Sequence, residues 1–390
     1  MEEDEEAENA ELDITVLSPH VRTYVETFIS KPSFMLSHKD IQIMNPKTSF
    51  PCFNKEVFDC DRFLITIPYG GILLECMVIF QSSKSNCPPD FIFSDSRFFI
   101  PINQIESLHL WDVEKSDGLL ITMKEIMQHY KKRQIQELDK YEILSFEYLC
   151  LFQLQQFDED DIEIFIPPDP DRAVLFLIRL HVDFRDLLPD FYKEESDSKD
   201  FPLLLVSFPD RESSKCTQRL YLSDKFRALF SMRETFKLPV EVADNFLTRY
   251  IMGLQNELRA RAEMAAPRYD SRKLYVVNLL NHFGKNTIEY DVICYTSIVM
   301  LLKEDDFHYL VEINLPDEFP VEAPVICFRS VYQTFMGDPI AVSINTYPYS
   351  HTWPIDRVID ETVKFIDEYS PLFKQDTAPY ICKESIYERA

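Results

Sequence analysis

The chain has 390 residues, 46% of them hydrophobic, with 31 Phe and 19 Tyr, enough to fill two or three domain cores. Its formal net charge of −26 argues against nucleic acid and anionic membrane surfaces as partners, since both are held by clustered Lys and Arg. With 6 Gly against 24 Pro and no G-x-G-x-x-G or Walker A pattern, a phosphate-cradling loop is excluded as well.

The remaining global features narrow the class further. The acidic balance reads either as solubility or as a complement to a basic partner surface. No apolar run reaches the ~18–20 residues that cross a bilayer. Residues 1–17 read as an acidic disordered tail, the opposite of a secretory signal. The 9 cysteines are odd in number, irregularly spaced and without a C-x-x-C pair, as in a reducing compartment, cytosol or nucleus. Among the 8 histidines there is no H-x-H and no H-E-x-x-H, so neither zinc-protease spacing is present. No cofactor or metal is expected in this chain.

In chain order, Ser18 and Pro19 open a helix with Val21, Tyr24, Val25, Phe28 and Ile29 as its apolar stripe and Pro32 as its stop. Residues 41–44 read as a strand, and 45–60 as an irregular connection. Strand 62–68, the Tyr69-Gly70-Gly71 turn and strand 72–80 form a hairpin, with Ile72, Leu74, Cys76, Val78 and Phe80 on one face. A proline flap at 87–90 leads into strand 91–93. Leu108, Leu110 and Trp111 anchor the mixed stretch that follows. Asp117 caps a helix through Leu120, Met123, Ile126, Met127 and Tyr130, with Lys131, Lys132 and Arg133 at its C-terminal end. A second helix covers 136–156, turning Leu138, Tyr141, Leu144, Tyr148 and Phe152 inward.

The middle of the chain is β-rich. An acidic break at 158–161 precedes strand 162–166, a rigid turn at 167–171, a long strand over 173–184, a charged stretch at 193–200 and a strand over 202–208. Asp244 then caps a helix over 245–265 that Pro267 ends, and 273–283 is a separate short helix closed by Gly284. Strands 287–291 and 296–303 lead to a charged turn. In the next strand Phe307, Tyr309, Val311, Ile313 and Leu315 fall on one face, opposite His308, Leu310, Glu312 and Asn314. Pro316, Pro320 and Pro324 force a surface flap, after which Val325, Ile326 and Phe328 re-enter the core. Pro354 begins a last helix carrying Ile355, Val358, Ile359, Val363, Phe365, Ile366 and Tyr369, which Ser370-Pro371 stops.

Hairpin, proline flap and aromatic-ended strand thus occur at 62–93 and again at 287–328, a domain duplication rather than a short-period repeat. The expected class is α+β, with antiparallel meander sheets flanked by helices. This layout resembles the ubiquitin-conjugating fold. The resemblance implies a cysteine after the flap strand, whose thiolate would accept ubiquitin, and a His-Pro-Asn triplet. Neither occurs: 94–149 and 329–381 hold no cysteine, Cys327 lies inside the flap strand and should point into the core, and Cys87 abuts the flap prolines. Both copies therefore look like ubiquitin-conjugating-enzyme variant (UEV) or RWD-like domains without the chemistry. On this reading 18–157 is the N-terminal UEV-like domain, 244–270 a connecting helix and 271–390 the C-terminal UEV-like domain. The segment 158–243 is either a degenerate third copy or an unrelated β-rich linker.

The stretches CDRFLITIPYGG (60–71), PPDFIF (88–93), NHFGKNTIEYD (281–291), VEINLPDEFP (311–320), FRSVY (328–332) and YPYSHTW (347–353) closely resemble the BRE (brain and reproductive organ-expressed) family. The resemblance implies a non-catalytic scaffold of BRISC- and Abraxas-type deubiquitinase complexes that act on lysine-63-linked ubiquitin, in cytoplasm and nucleus. The implied partners are a JAMM metalloprotease, which alone carries zinc, an inactive MPN scaffold of the Abraxas type, a von Willebrand A-like adaptor and ubiquitin itself. Candidate partner-binding residues are Tyr347, Pro348, Tyr349, His351 and Trp353, with Leu110 and Trp111 as their counterpart in the first copy. Packing of the same aromatics onto their own sheets is the competing reading. Two other functions stay open: a UEV cofactor of ubiquitin-chain synthesis, and a conjugating enzyme with a displaced cysteine.

Overall fold

A computed structural model describes residues 14–30, 35–37, 41–48, 60–81, 87–153, 155–182, 184, 201–230 and 247–384, with the backbone alone over 379–384. The chain divides into two compact units. The first holds 1–182, 198–223 and 237–255, and the second holds 183–197, 224–236 and 256–390.

The first unit is built on two four-stranded antiparallel meanders. Helix α1 (Pro19–Ser30) precedes the sheet β1 (Gln42–Lys47), β2 (Arg62–Tyr69), β3 (Ile72–Ile79) and β4 (Asp90–Phe93), which pair in chain order. The register sets Phe63 opposite Val78, Ile65 opposite Cys76 and Ile67 opposite Leu74, so every second residue enters one core. That core is closed by Val21, Tyr24, Val25 and Phe28 of α1 and by Leu120, Met123, Met127 and Tyr130 of a longer helix. The short helix α2 (Glu106–His109) leads into this longer one, α3 (Gly118–Leu138), and α4 (Glu142–Phe152) follows. The second meander is β5 (Ile162–Phe165), β6 (Val174–Arg179), β7 (Leu203–Phe208) and β8 (Thr217–Tyr221), again in chain order. All four β5 residues are buried, including Glu163, whose carboxylate accepts the N–H of Leu36 and of Gly70, both at 2.8 Å. The β2–β3 turn sits directly on this second sheet. A Cβ on Gly70 would lie 3.1 Å from Phe165 Cβ, and one on Gly71 2.6 Å from a Leu205 methyl; both glycines have positive φ.

In the second unit a five-stranded antiparallel sheet runs in the order β13-β12-β11-β10-β9. Helix α5 (Asp224–Leu229) and, from residue 256 onward, helix α6 (Leu247–Phe283) precede β9 (Thr287–Tyr290), β10 (Ser297–Glu304) and β11 (Phe307–Asn314). The flap separates these from β12 (Val325–Phe335), β13 (Asp338–Ile344) and helix α7 (Ile355–Glu384). The alternation read in β11 holds: Phe307, Tyr309, Val311 and Ile313 are buried, and the residues between them are not. They form one core with Tyr275, Val276, Leu279, Phe319, Phe328, Ile366 and Phe373.

Several expectations are corrected. Helix α3 does not end at Lys131–Arg133 but runs on to Leu138, because Gln134 and Leu138 are buried and continue its inward face. The helix expected over 136–156 is broken at 139–141, where the Lys140 and Tyr141 N–H groups bond three residues back and tighten the end of α3. Strand β6 stops at Arg179 rather than 184: the Leu180 N–H still reaches the Pro202 carbonyl opposite it, but Pro202 has no N–H to return, and the Val182 N–H turns back to the Leu180 carbonyl. The two helices expected around Pro267 are one, α6, and α7 likewise continues through Pro371. Both prolines are exposed, and buried residues on either side (Ala262 and Tyr269; Ile366 and Phe373) hold each helix together despite the missing N–H. Strands β8 and β13 went unread, being edge strands of mixed polarity; β13 carries Pro339, tolerated at an edge. Ile29, read into the apolar stripe of α1, is exposed, and so is Leu110, against the reading that packs it onto its own sheet. Cys327 is buried but pairs with Glu312, on the sheet face opposite Ile326 and Phe328. The Pro32 stop, the Asp244 cap and the 193–200 stretch lie outside the described residues.

Candidate functional site

The candidate residues fall in two places, one in each unit. In the second unit, 347–353 lies in the link between β13 and α7. The Tyr347 ring stacks on Phe365 of α7, centroids 5.2 Å apart and planes 25° from parallel. Its hydroxyl lies beside Tyr275 and Thr362 in the core, and burial pushes the Tyr347 and Tyr275 phenols well above their ordinary value. Thr362 gives its proton to the Val358 carbonyl at 2.8 Å, so the Tyr275 hydroxyl is the donor to Thr362 Oγ1 at 3.1 Å. Tyr349 donates its hydroxyl to the carbonyl of Pro320 in the flap, and burial raises its pKa to about 12. The flap is held from within by Phe319, whose ring meets Tyr275 at 5.3 Å.

The rest of the link faces outward. Pro348 and His351 are exposed, whereas Trp353 is half-buried, packed against the core of the second unit, with the Arg357 guanidinium 4.0 Å over its ring. The structure therefore splits the sequence-predicted set. Tyr347 and Tyr349 fasten the link to the core and to the flap. Pro348, His351 and the Trp353–Arg357 stack form its surface. Arg357 was missed, although its position one helical turn after Trp353 is visible in the sequence.

In the first unit, Leu110 and Trp111 line a cleft of about 320 Å³ between α2 and α3. Trp111 packs on Tyr24 at 5.2 Å and lies edge-on to Phe80 at 6.4 Å. Gly118, the first residue of α3, leaves room for the indole: a Cβ there would come within 3.1 Å of it. Leu110 points away from this packing and is 71% exposed. Glu125 holds the two helices together by accepting the N–H of Glu106 at 2.7 Å and of Ser107 at 2.9 Å. Burial acts to raise its pKa, but the Ser107 hydroxyl and these two donors outweigh it and hold the carboxyl below its ordinary value. Gly118, Ile121 and Glu125 were not singled out in the sequence, because their part depends on α2 folding back onto α3.

Among the described cysteines, Cys87 and Cys216 are half-exposed. Burial raises the thiols of Cys76, Cys150 and Cys294, the last to about 12, which works against a thiolate. Among the described residues no three of His, Cys, Asp and Glu come together as metal ligands.

A family model described as "Brain and reproductive organ-expressed protein (BRE)" matches residues 15–334. The chain belongs to the BRE family. A relative from Branchiostoma floridae named "BRISC and BRCA1-A complex member 2" is 29% identical over 366 residues, 92% of this chain and 95% of that relative. A relative of the same name from Danio rerio is 30% identical over 324 residues, 81% of this chain and 84% of that relative. The BRE model spans the α2–α3 cleft and the flap and ends before Tyr347.

Proposed function

We propose that this BRE-family chain is a non-catalytic scaffold subunit of a deubiquitinase assembly acting on lysine-63-linked ubiquitin chains, in cytoplasm and nucleus. One observation carries the reading: two relatives that align over most of their length with this chain are named as members of the BRISC and BRCA1-A complexes. The architecture adds support. The first and last sheets are antiparallel meanders backed by helices, the layout of a UEV domain, and 94–149 and 329–381 lack the cysteine that conjugation needs. On this reading the chain bridges a JAMM metalloprotease and its inactive MPN partner to a von Willebrand A-like adaptor, and zinc belongs to the protease alone. The outer surface of 348–353 is where the adaptor's segment would lie.

The test is affinity purification of the tagged full chain from its own cells, with mass spectrometry of stoichiometric partners. Recovery of a JAMM protease, an MPN protein and a von Willebrand A-like protein is the expected result. Recovery of a conjugating enzyme with no protease would replace the reading with chain synthesis. A reductant-sensitive ubiquitin adduct, formed with activating enzyme and ATP, would overturn the non-catalytic assignment.

A further inference from the structure

The α2–α3 cleft exposes apolar side chains beside carboxylates. Its apolar lining is Leu110, 71% exposed, Ile121, 48% exposed, and the Trp111 indole. Its rim is acidic: Glu106, Asp112, Asp117 and Glu125 face a single cation, Lys115, which already lies 3.6 Å from Asp112. A volume of about 320 Å³ is at the lower end of ligand sites, roughly 300–1,000 Å³, and suits one anchoring side chain rather than a whole cofactor. Apolar lining and acidic rim together select a large apolar group with a positive charge beside it.

We infer that this cleft docks a segment of a partner protein in which a leucine-sized or aromatic side chain stands next to a lysine or arginine. The inference rests on the proposed role as a complex subunit and specifies the chemistry of one partner contact. A second copy of this chain is a poor occupant, because each copy carries a formal charge of −26. Leu110 is the anchor contact. The rim carboxylates steer the basic residue and reject an acidic one.

The test titrates short Gly/Ser-flanked fluorescent peptides into the full chain, with central Leu-Arg, Leu-Glu or Ser-Arg. The Leu-Arg peptide should bind at least about tenfold more tightly than the other two, and more weakly as salt rises. Glu106→Lys with Asp112→Lys, and separately Leu110→Ser, should each weaken it by about tenfold; all three positions are exposed, so the fold is retained. Equal binding of Leu-Glu, no binding of Leu-Arg, or indifference to both variants overturns the inference. Self-association that Leu110→Ser abolishes also overturns it, in favour of a homotypic contact.

A parallel purification of wild type and of the charge-reversed variant separates the two readings. Loss of one subunit from the variant alone supports the cleft assignment. An unchanged set of subunits refutes it and leaves the scaffold role standing. A wild type that recovers no such complex refutes the scaffold role, and the peptide titration then decides the cleft by itself.

Discussion

Replacing Glu163 should loosen the first unit by a predictable amount. Its carboxylate is almost fully buried and accepts two backbone N–H groups, from Leu36 and from Gly70, at 2.8 Å each. Glu163→Ala strands both donors. At about 1–3 kcal/mol per buried unsatisfied group, less the relief of not burying a carboxylate, the expected loss is about 2–5 kcal/mol. Glu163→Gln keeps one acceptor and should lose about half as much. The chain has two tryptophans, and Trp111 lies in the first unit, so urea unfolding in a Trp353→Phe background reports that unit by fluorescence. With m near 2–3 kcal/mol per molar, the midpoint should fall by about 1–2 M for the alanine variant. The pH dependence supplies a second check. Burial raises the Glu163 pKa, against the lowering effect of the Gly70 and Leu36 donors and of Lys131 and Arg179. A raised folded pKa means that the folded state holds this proton more tightly. The associated stability is complete below the ordinary value of about 4.3 and is lost as pH rises through the folded value. Glutamine does not titrate, so the gap between wild type and Glu163→Gln should narrow as pH rises. A midpoint shift in Glu163→Ala below about 0.3 M, or a gap that stays constant or widens with pH, would refute the reasoning.

Asp291 behaves in the opposite sense. Burial acts to raise its pKa, but the Thr296 hydroxyl and the N–H groups of Cys294, Ile293 and Thr296 outweigh it, and the net shift is downward. Its stabilisation is present above the ordinary carboxylate pKa and is lost as pH falls through the lowered one, so Asp291→Ala should cost about 1–3 kcal/mol near neutrality and much less in strong acid. Thermal melts followed by Trp353 in a Trp111→Phe background would show whether the difference closes on acidification. Tyr347→Ala should cost about 3–5 kcal/mol through the lost Phe365 stack, whereas Tyr347→Phe should stay within about 1 kcal/mol in the same melts. Pro371→Ala should raise the melting temperature of the second unit, since the exposed ring gives way to an N–H that can join the α7 ladder; no change would mean that the helix is not continuous there. Arg357→Ala should red-shift Trp353 emission while costing less than about 1 kcal/mol.

What the sequence made readable follows from periodicity. Strand β11 announces itself because one of its faces is buried and the other is not, so Phe307, Tyr309, Val311 and Ile313 stand out at every second position. The β2–β3 hairpin is as clear, with paired glycines between two alternating runs. Prolines misled in the helices. Pro267 and Pro371 break the local rule, but the cost of a proline within a helix, about 3 kcal/mol, is outweighed when buried side chains such as Tyr269 and Phe373 lie beyond it. The candidate residues were legible as aromatics outside regular elements. Which of them point inward was not, because Tyr347 and Pro348 differ only in whether Phe365 lies beneath them. Of the acidic rim around Leu110 and Trp111, Glu106, Asp112 and Asp117 are neighbours in the sequence, but the part of Glu125 could not be seen, since it meets Glu106 only when α2 folds back onto α3.

The Gly70-Gly71 turn has a consequence for how the protein can be dissected. The chain carries 6 glycines, and two of them are adjacent here, wedged against Phe165 and Leu205 of a sheet about 95 to 135 residues further along. Backbone meets side chain there without room for a methyl group, and the Gly70 N–H is bonded to Glu163. A fragment cut after α4 would expose that notch, leave the Gly70 donor without its carboxylate and open an apolar seam to water. Expression boundaries drawn between the first two sheets should therefore yield aggregates, and the smallest soluble piece of the first unit should carry both meanders together.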